Sequence, residues 1–188
     1  MGCLVVEAQE ARSDVAVRLR KVSTEDLEQF THWMEDAEVR RHFSGRAHLA
    51  SPTPLLPAPG SRPASNVARA IESHDGRLLG WVELRDVNWR RRSGELRICL
   101  GERDTWGCGY GSAALQLFLD LAFNGWHMAS IHLRVATWNE RAIRSYERCG
   151  FRRTGRLRAG GRERDGLQDL WLMTVTAPAD TGQAAGLA

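Results

Sequence analysis

Gly94-Glu95-Leu96-Arg97-Ile98-Cys99-Leu100-Gly101 and, after a short loop, Trp106-Gly107-Cys108-Gly109-Tyr110-Gly111-Ser112 are the residues on which the fold turns. The first stretch reads as a strand. In the second, glycines 107, 109 and 111 let backbone come close to a ligand without side-chain clash. Residues 109–124 are then apolar almost all round, through Ala113, Ala114, Leu115, Leu117, Phe118, Leu119, Leu121, Ala122 and Phe123. That pattern predicts a helix buried against a sheet, stopped by Asn124-Gly125. A helix starting in a glycine loop offers unpaired N–H groups and the positive end of its dipole. Strand, glycine loop and helix N-terminus together predict a pyrophosphate cradle.

The physics of the loop alone does not choose the phosphate ligand. A P-loop needs Gly-Lys followed by Ser or Thr, and no such lysine exists here. The dinucleotide fingerprint GxGxxG, or GxGxxA, is replaced by GxGxxxA from Gly107 to Ala113, and it follows several strands rather than the first. A tight turn with glycine caps is the plain structural alternative.

Outward from this core, residues 15–22 alternate apolar and polar and predict a half-buried strand. Ser23, with Asp26 three residues on, predicts a helix start, and Leu27, Phe30 and Met34 follow at helical spacing. Five of the six prolines fall within 48–66, at Pro52, Pro54, Pro57, Pro59 and Pro63, which forbids a regular helix there. Strands are expected at 67–72 and 77–85, joined by His74-Asp75-Gly76, and at 94–101. Downstream, 130–136 reads as a strand, and Asn139 caps a helix whose inward residues are Ala142, Ile143, Tyr146 and Cys149. Gly150 ends it, and two strands follow. A run of strands followed by alternating elements predicts a mixed α/β (α+β) sheet covered by helices, one domain over 15–176. Residues 1–14 and 177–188 are expected to be flexible tails.

Composition fits a globular protein. The chain has 188 residues, 43% of them hydrophobic and 26% charged, with a net charge of +3. Lys21 is the single lysine among 26 basic residues. This balance suits an anionic ligand and is too weak to argue for nucleic acid. Cys3, Cys99, Cys108 and Cys149 form no CxxC pair and no cluster with histidines at metal-finger spacing, so free thiols and no metal are expected. The opening MGCLVV is too short an apolar run for a signal peptide or span, and a cytoplasmic protein is expected.

Together, WGxGYGSxAL from Trp106 and NxRAIxxYExxGF from Asn139 resemble the acetyl-CoA-binding core of GNAT acetyltransferases. LLGWVELRDVNWRRRSGELRICLG resembles the strand pair before that core, and the resemblance takes in residues 15–176. It is nearest the branch of ribosomal-protein N-terminal and spermidine acetyltransferases. The resemblance implies a mostly antiparallel twisted sheet of six to seven strands, splayed between 94–101 and 130–136, with flanking helices. Pantetheine would pair with strand backbone in the gap, beside Ile98, Cys99 and Leu100. The loop from Trp106 through Gly107, Cys108, Gly109, Tyr110 and Gly111 to Ser112 would hold the pyrophosphate. Asn139, Ala142 and Tyr146 would face acetyl-CoA from the next helix. Trp106 departs from the Gln or Arg that often opens this loop.

The resemblance also implies that Tyr146 serves as general acid near the thioester sulfur; on spacing alone it is a core residue. Tyrosine titrates near 10 and a thiol near about 8.5, so hydrogen bonding to the thiolate is the role that chemistry favours. The oxyanion donor expected is a backbone N–H at Ile98 or Cys99. The general base expected is Glu95, with Glu83 second; both also fit solvated strand faces. His132 reads as structural, and His32, His42 and His74 carry no spacing signal. Trp89 and Trp33 are candidates for a substrate mouth. The acceptor expected first is a protein or peptide N-terminal amine. The alternatives are a polyamine or aminoglycoside and, from another class, an acyl-CoA sensor without turnover. An amine substrate is the expected partner, a second copy of the chain stays open, and neither nucleic acid nor membrane is expected.

Overall fold

The computed structural model describes residues 15–43, 66–163 and 166–178. The expected tail 1–14, residues 179–188 of the other tail and the proline-rich segment up to residue 65 lie outside the described residues, while the Ala177 N–H donates to Ala129 O at 3.0 Å. Seven strands form one sheet in the order β1-β2-β3-β4-β5-β7-β6. They are β1 (Val17–Arg20), β2 (Val67–Ser73), β3 (Leu78–Asn88), β4 (Ser93–Leu100), β5 (Ser130–Ala136), β6 (Arg152–Glu163) and β7 (Gly166–Thr176). Every pairing is antiparallel except β4 with β5. That parallel pair holds only three rungs, Ser93↔Ser130, Gly94↔Ile131 and Glu95↔His132, and beyond Glu95 the strands part. The sheet is therefore split beyond Glu95 and His132, the splay expected from the resemblance.

Helices cover both faces. On one side α1 (Thr24–Glu35) and α2 (Ala37–His42) set Phe30, Trp33 and Val39 against Ala68, Ala70, Trp81 and Cys99. The backbone N–H of Ser23 donates to Asp26 Oδ2 at 2.8 Å and fixes the start of α1. The sequence showed no sign of α2, which is too short for a periodicity. Asp36 defines it by accepting from the N–H groups of Glu38 and Val39. Packing is tight at Gly101, where a Cβ would lie 1.8 Å from the Trp33 ring, so only glycine lets α1 close over the end of β4.

On the other face α3 (Tyr110–Asp120) buries Ala114, Leu115 and Phe118 against Val82, Leu84, Leu96 and Ile131. It is not apolar on every side in effect: Leu117 is 44% exposed. Instead of stopping cleanly, α3 runs into a wide π turn over Leu121–Gly125, ahead of β5. Helix α4 (Glu140–Arg148) buries Ile143 in the same core, with Ala142, Tyr146 and Cys149 partly buried beside it. Among the described residues, no helix is long and apolar enough to cross a membrane.

Candidate active site

Where β4 runs on past its last rung with β5, Ile98, Cys99 and Leu100 line an open cleft together with the end of α2, the glycine loop and α4. Backbone direction decides what β4 presents to it. The N–H of Gly101 donates to Leu79 O on β3 at 2.9 Å. Antiparallel alternation then turns the Cys99 amide toward β3 as well and leaves those of Ile98 and Leu100 facing the gap. The oxyanion donor expected at Ile98 or Cys99 is thus available at Ile98 and, one step along, at Leu100, but not at Cys99. The Cys99 side chain lies on the α1–α2 face, buried, where loss of water pushes its thiol well above the usual range.

At one end of the cleft stands the glycine loop. Gly107 and Gly109 adopt φ of +81° and +99°, in the left-handed region that suits glycine. Gly109 is the N-cap of α3 with no side-chain cap, so the first-turn amides are free for a ligand. A Cβ at Gly107 would meet nothing within 4 Å, so open space lies over the loop. These features fit the diphosphate of acetyl-CoA. Arg141 and Arg148 also line the cleft, and no carboxylate does among the described lining residues. Cys108 is exposed, and Tyr110 packs toward the core, so their side chains leave the loop's work to backbone. Trp106 does the structural work at the loop's start: its Nε1 donates to Leu100 O at 2.9 Å and its ring meets His42 at 4.9 Å.

Helix α4 forms the facing wall. Asn139 Oδ1 accepts from the Ala142 N–H at 3.2 Å, so its amide oxygen caps the helix, while Nδ2 donates to His42 O at 3.5 Å. Ser112 and Ser145 hydroxyls meet at 2.7 Å and tie α3 to α4. Tyr146 lines the cleft and also rests on Phe151, ring to ring at 5.8 Å. Burial raises its phenol above the usual tyrosine range, so it stays protonated as a donor.

The acids expected as bases stand elsewhere. Glu95 is 5% exposed and gripped by Arg134, whose Nη2 donates to both carboxylate oxygens at 2.8 and 2.7 Å. Although burial opposes it, this partner, with Arg97 nearby, holds the carboxyl below its ordinary value. A carboxylate so engaged is a poor proton acceptor, which weighs against Glu95 as the base. Glu83 is 2% exposed, and its Oε1 has no partner among the described residues. Burial raises it to about 7, against the opposing charges of Arg85 and Arg97. It is not among the residues lining the cleft. Trp33 is not at a mouth either: it is buried, with Nε1 donating to Glu102 at 2.9 Å. Trp89 packs partly buried against the main core, and His132 sits in the strand register opposite Glu95.

Glu83 carries a stability signature. Its folded value lies above the unfolded one, so native protein holds a proton that unfolded chain releases between about pH 4.5 and 7. Stability from this group therefore falls as pH rises through that window. Glu83→Gln should remove the loss, and its advantage over the parent should grow by up to about 2–3 kcal/mol between pH 5 and 8. Urea unfolding of both proteins at the two pH values measures it; a difference independent of pH would place the carboxyl in water.

Residues sequence reasoning missed are Val39, His42 and Phe43, which α2 lowers over the cleft. The signal available was Asp36, a helix-capping residue just ahead of them.

Comparison with known proteins agrees with this geometry. A family model described as an acetyltransferase (GNAT) domain matches residues 16–152. A spermidine N(1)-acetyltransferase of Vibrio cholerae is 33% identical over 87 residues, 46% of this chain and 50% of the relative, so the chain matches half the length of that relative. One of Escherichia coli is 27% identical over 143 residues, 76% of each chain. Among solved structures, a spermidine N-acetyltransferase from Vibrio cholerae in complex with CoA and spermine superposes with a TM-score of 0.72 at 21% identity, covering 85% of this chain and 95% of the other. That structural likeness shows a common fold. Split strands, amide loop and capped helix all fall in or beside the span one family model accounts for, and the chain belongs to the GNAT acetyltransferase family.

Proposed function

We propose that the protein transfers the acetyl group of acetyl-CoA to a primary amine of a small molecule, with a polyamine as the leading acceptor class. The observation that carries it is the split between β4 and β5, with the Ile98 and Leu100 amides on one wall, Tyr146 on the other and the glycine loop at its end. Relatives named for spermidine acetylation support a small amine over the peptide N-terminus that the sequence favoured. Acetyl-CoA supplies an activated acyl carbon and a leaving thiolate. The chain's part is positioning and charge stabilisation. The Cys108 N–H is engaged by Thr105 O at 3.3 Å, so the amides of Gly107, Gly109 and the first turn of α3, Tyr110 to Ser112, hold the diphosphate. Ile98 and Leu100 N–H groups, fixed in the strand, donate to the carbonyl oxygen as negative charge develops on it. The Tyr146 hydroxyl donates to the departing sulfur.

A thiol-release assay with acetyl-CoA against polyamines, peptides and aminoglycosides tests this. Release with polyamines is expected; release with peptides alone would restore the peptide reading, and CoA binding without release would make the protein a sensor. Tyr146→Phe should lower kcat about 10- to 100-fold, the worth of one hydrogen bond to a charged group, with acetyl-CoA affinity little changed. Unchanged turnover would return Tyr146 to the core.

A further inference from the structure

An alkyl ammonium titrates near 10.4, so about three pH units separate it from the neutral form needed for attack at neutral pH. A proton acceptor inside the cleft would offset that cost, and neither Glu95 nor Glu83 lines it. We infer that His42, at the end of α2, is that acceptor, and that its Nε2 takes the proton of the incoming amine. The inference rests on the acetyl-transfer reading above.

His42 lines the cleft together with Cys99, Leu100 and Tyr146. Its Nδ1 lies 3.0 Å from the Glu38 carbonyl oxygen one turn back. A carbonyl only accepts, so Nδ1 carries the hydrogen and the neutral ring has its lone pair at Nε2. Nε2 meets no hydrogen-bond partner among the described residues. The ring is held by contacts on two sides, Trp106 at 4.9 Å and Trp138 edge-on at 5.2 Å. The Asn139 side chain donates to its backbone carbonyl. The same residue is thereby tied to the cofactor loop through Trp106 and to the N-terminus of α4 through Asn139. Charged neighbours are Glu38 and Arg41 on α2, with Arg41 over the Trp138 ring at 4.7 Å, and Arg141 on α4, over the Trp106 ring at 4.5 Å. Imidazole is the side chain suited to exchanging a proton near neutrality.

The substrate ammonium gives one proton to Nε2 and becomes a neutral amine. Its nitrogen forms a bond to the acyl carbon, and the carbon–sulfur bond breaks. The nitrogen's second proton ends on the CoA sulfur, and His42 returns its own to solvent.

His42→Asn keeps an amide donor near the Nδ1 position for the Glu38 carbonyl but cannot take a proton. With a strongly basic alkyl amine, kcat/KM should fall about 100-fold at pH 7, the usual worth of general base catalysis. With a weakly basic amine such as trifluoroethylamine it should fall less than about threefold, since little deprotonation is then needed. An enzymatic limb in the parent's pH profile should vanish for the variant, leaving the amine's own. Long-range proton–nitrogen NMR of the parent should show the ring protonated on Nδ1. Equal losses for both amines, full activity of the variant, an Nε2-protonated ring, or a selective loss carried by Glu83→Gln instead would overturn the assignment. Calorimetry separates this from the wider reading. A parent that binds CoA yet acetylates no amine refutes acetyl transfer itself, and the role of His42 with it.

Discussion

Gly109→Val should weaken acetyl-CoA binding by about 10²- to 10⁴-fold, because the loop must give up the conformation that aims its amides. Gly109 sits at φ +99° as the residue from which α3 begins. A side-chain-bearing residue in the left-handed region is strained by about 1–2 kcal/mol, and branching at Cβ makes it worse. Space is not the obstacle, since the nearest atom to an added Cβ would be Val15 Cγ2 at 3.6 Å. The loop would relieve the strain by turning its peptide planes. Two amides lost to a charged diphosphate, at about 1.5–3 kcal/mol each, give the stated range. Calorimetry with CoA reads it directly, and the unfolding midpoint should move far less. Affinity within threefold of the parent would show that the arginines, not the backbone, hold the phosphates.

The glycine loop and the helix it starts were legible in the sequence because their information is local. Alternate glycines, an apolar helix and a capping Asn139 need no knowledge of distant partners. The splay between β4 and β5 came from resemblance, and its extent was not legible: only register shows that main-chain pairing ends at Glu95 and His132. Register also decides that the Cys99 amide faces β3 while Ile98 and Leu100 face the cleft. Glu95 was correctly placed on a strand, but its fate depends on Arg134, 39 residues away, which reaches it only once the parallel pair has formed. His42 was invisible for a related reason. Helix α2 has six residues, too few for a periodic signal, and the ring's contacts with Trp106 and Trp138 span separate elements.

The Arg134–Glu95 pair makes the second large prediction, because it bridges β4 and β5 where their hydrogen-bond ladder stops. Glu95 has 7% side-chain exposure, Arg134 has 34%, and the guanidinium makes three hydrogen bonds to the carboxylate. Removing the cation strands a buried charge, whose desolvation its partner had offset. Arg97 remains, with Nε 3.7 Å from Glu95 Oε1, and softens the loss. Arg134→Met should therefore destabilise the protein by about 3 kcal/mol at pH 7.5, the lower end for breaking such a pair. In the parent, Glu95 is held below its unfolded value, so its contribution is present above that value and lost as pH falls through the folded one. In the variant the carboxyl titrates higher, and the deficit should shrink as acid neutralises it. Adding Glu95→Gln should recover part of the stability, since no charge is then left unpaired, and a double-mutant cycle isolates the coupling. The same substitution should also weaken CoA binding, as the bridge fixes how far β4 and β5 stand apart beyond their last rung. Urea unfolding at pH 5 and 7.5 decides the matter: a loss below about 1 kcal/mol, equal at both, is what a surface pair would give, and the split in the sheet would then be set by backbone alone.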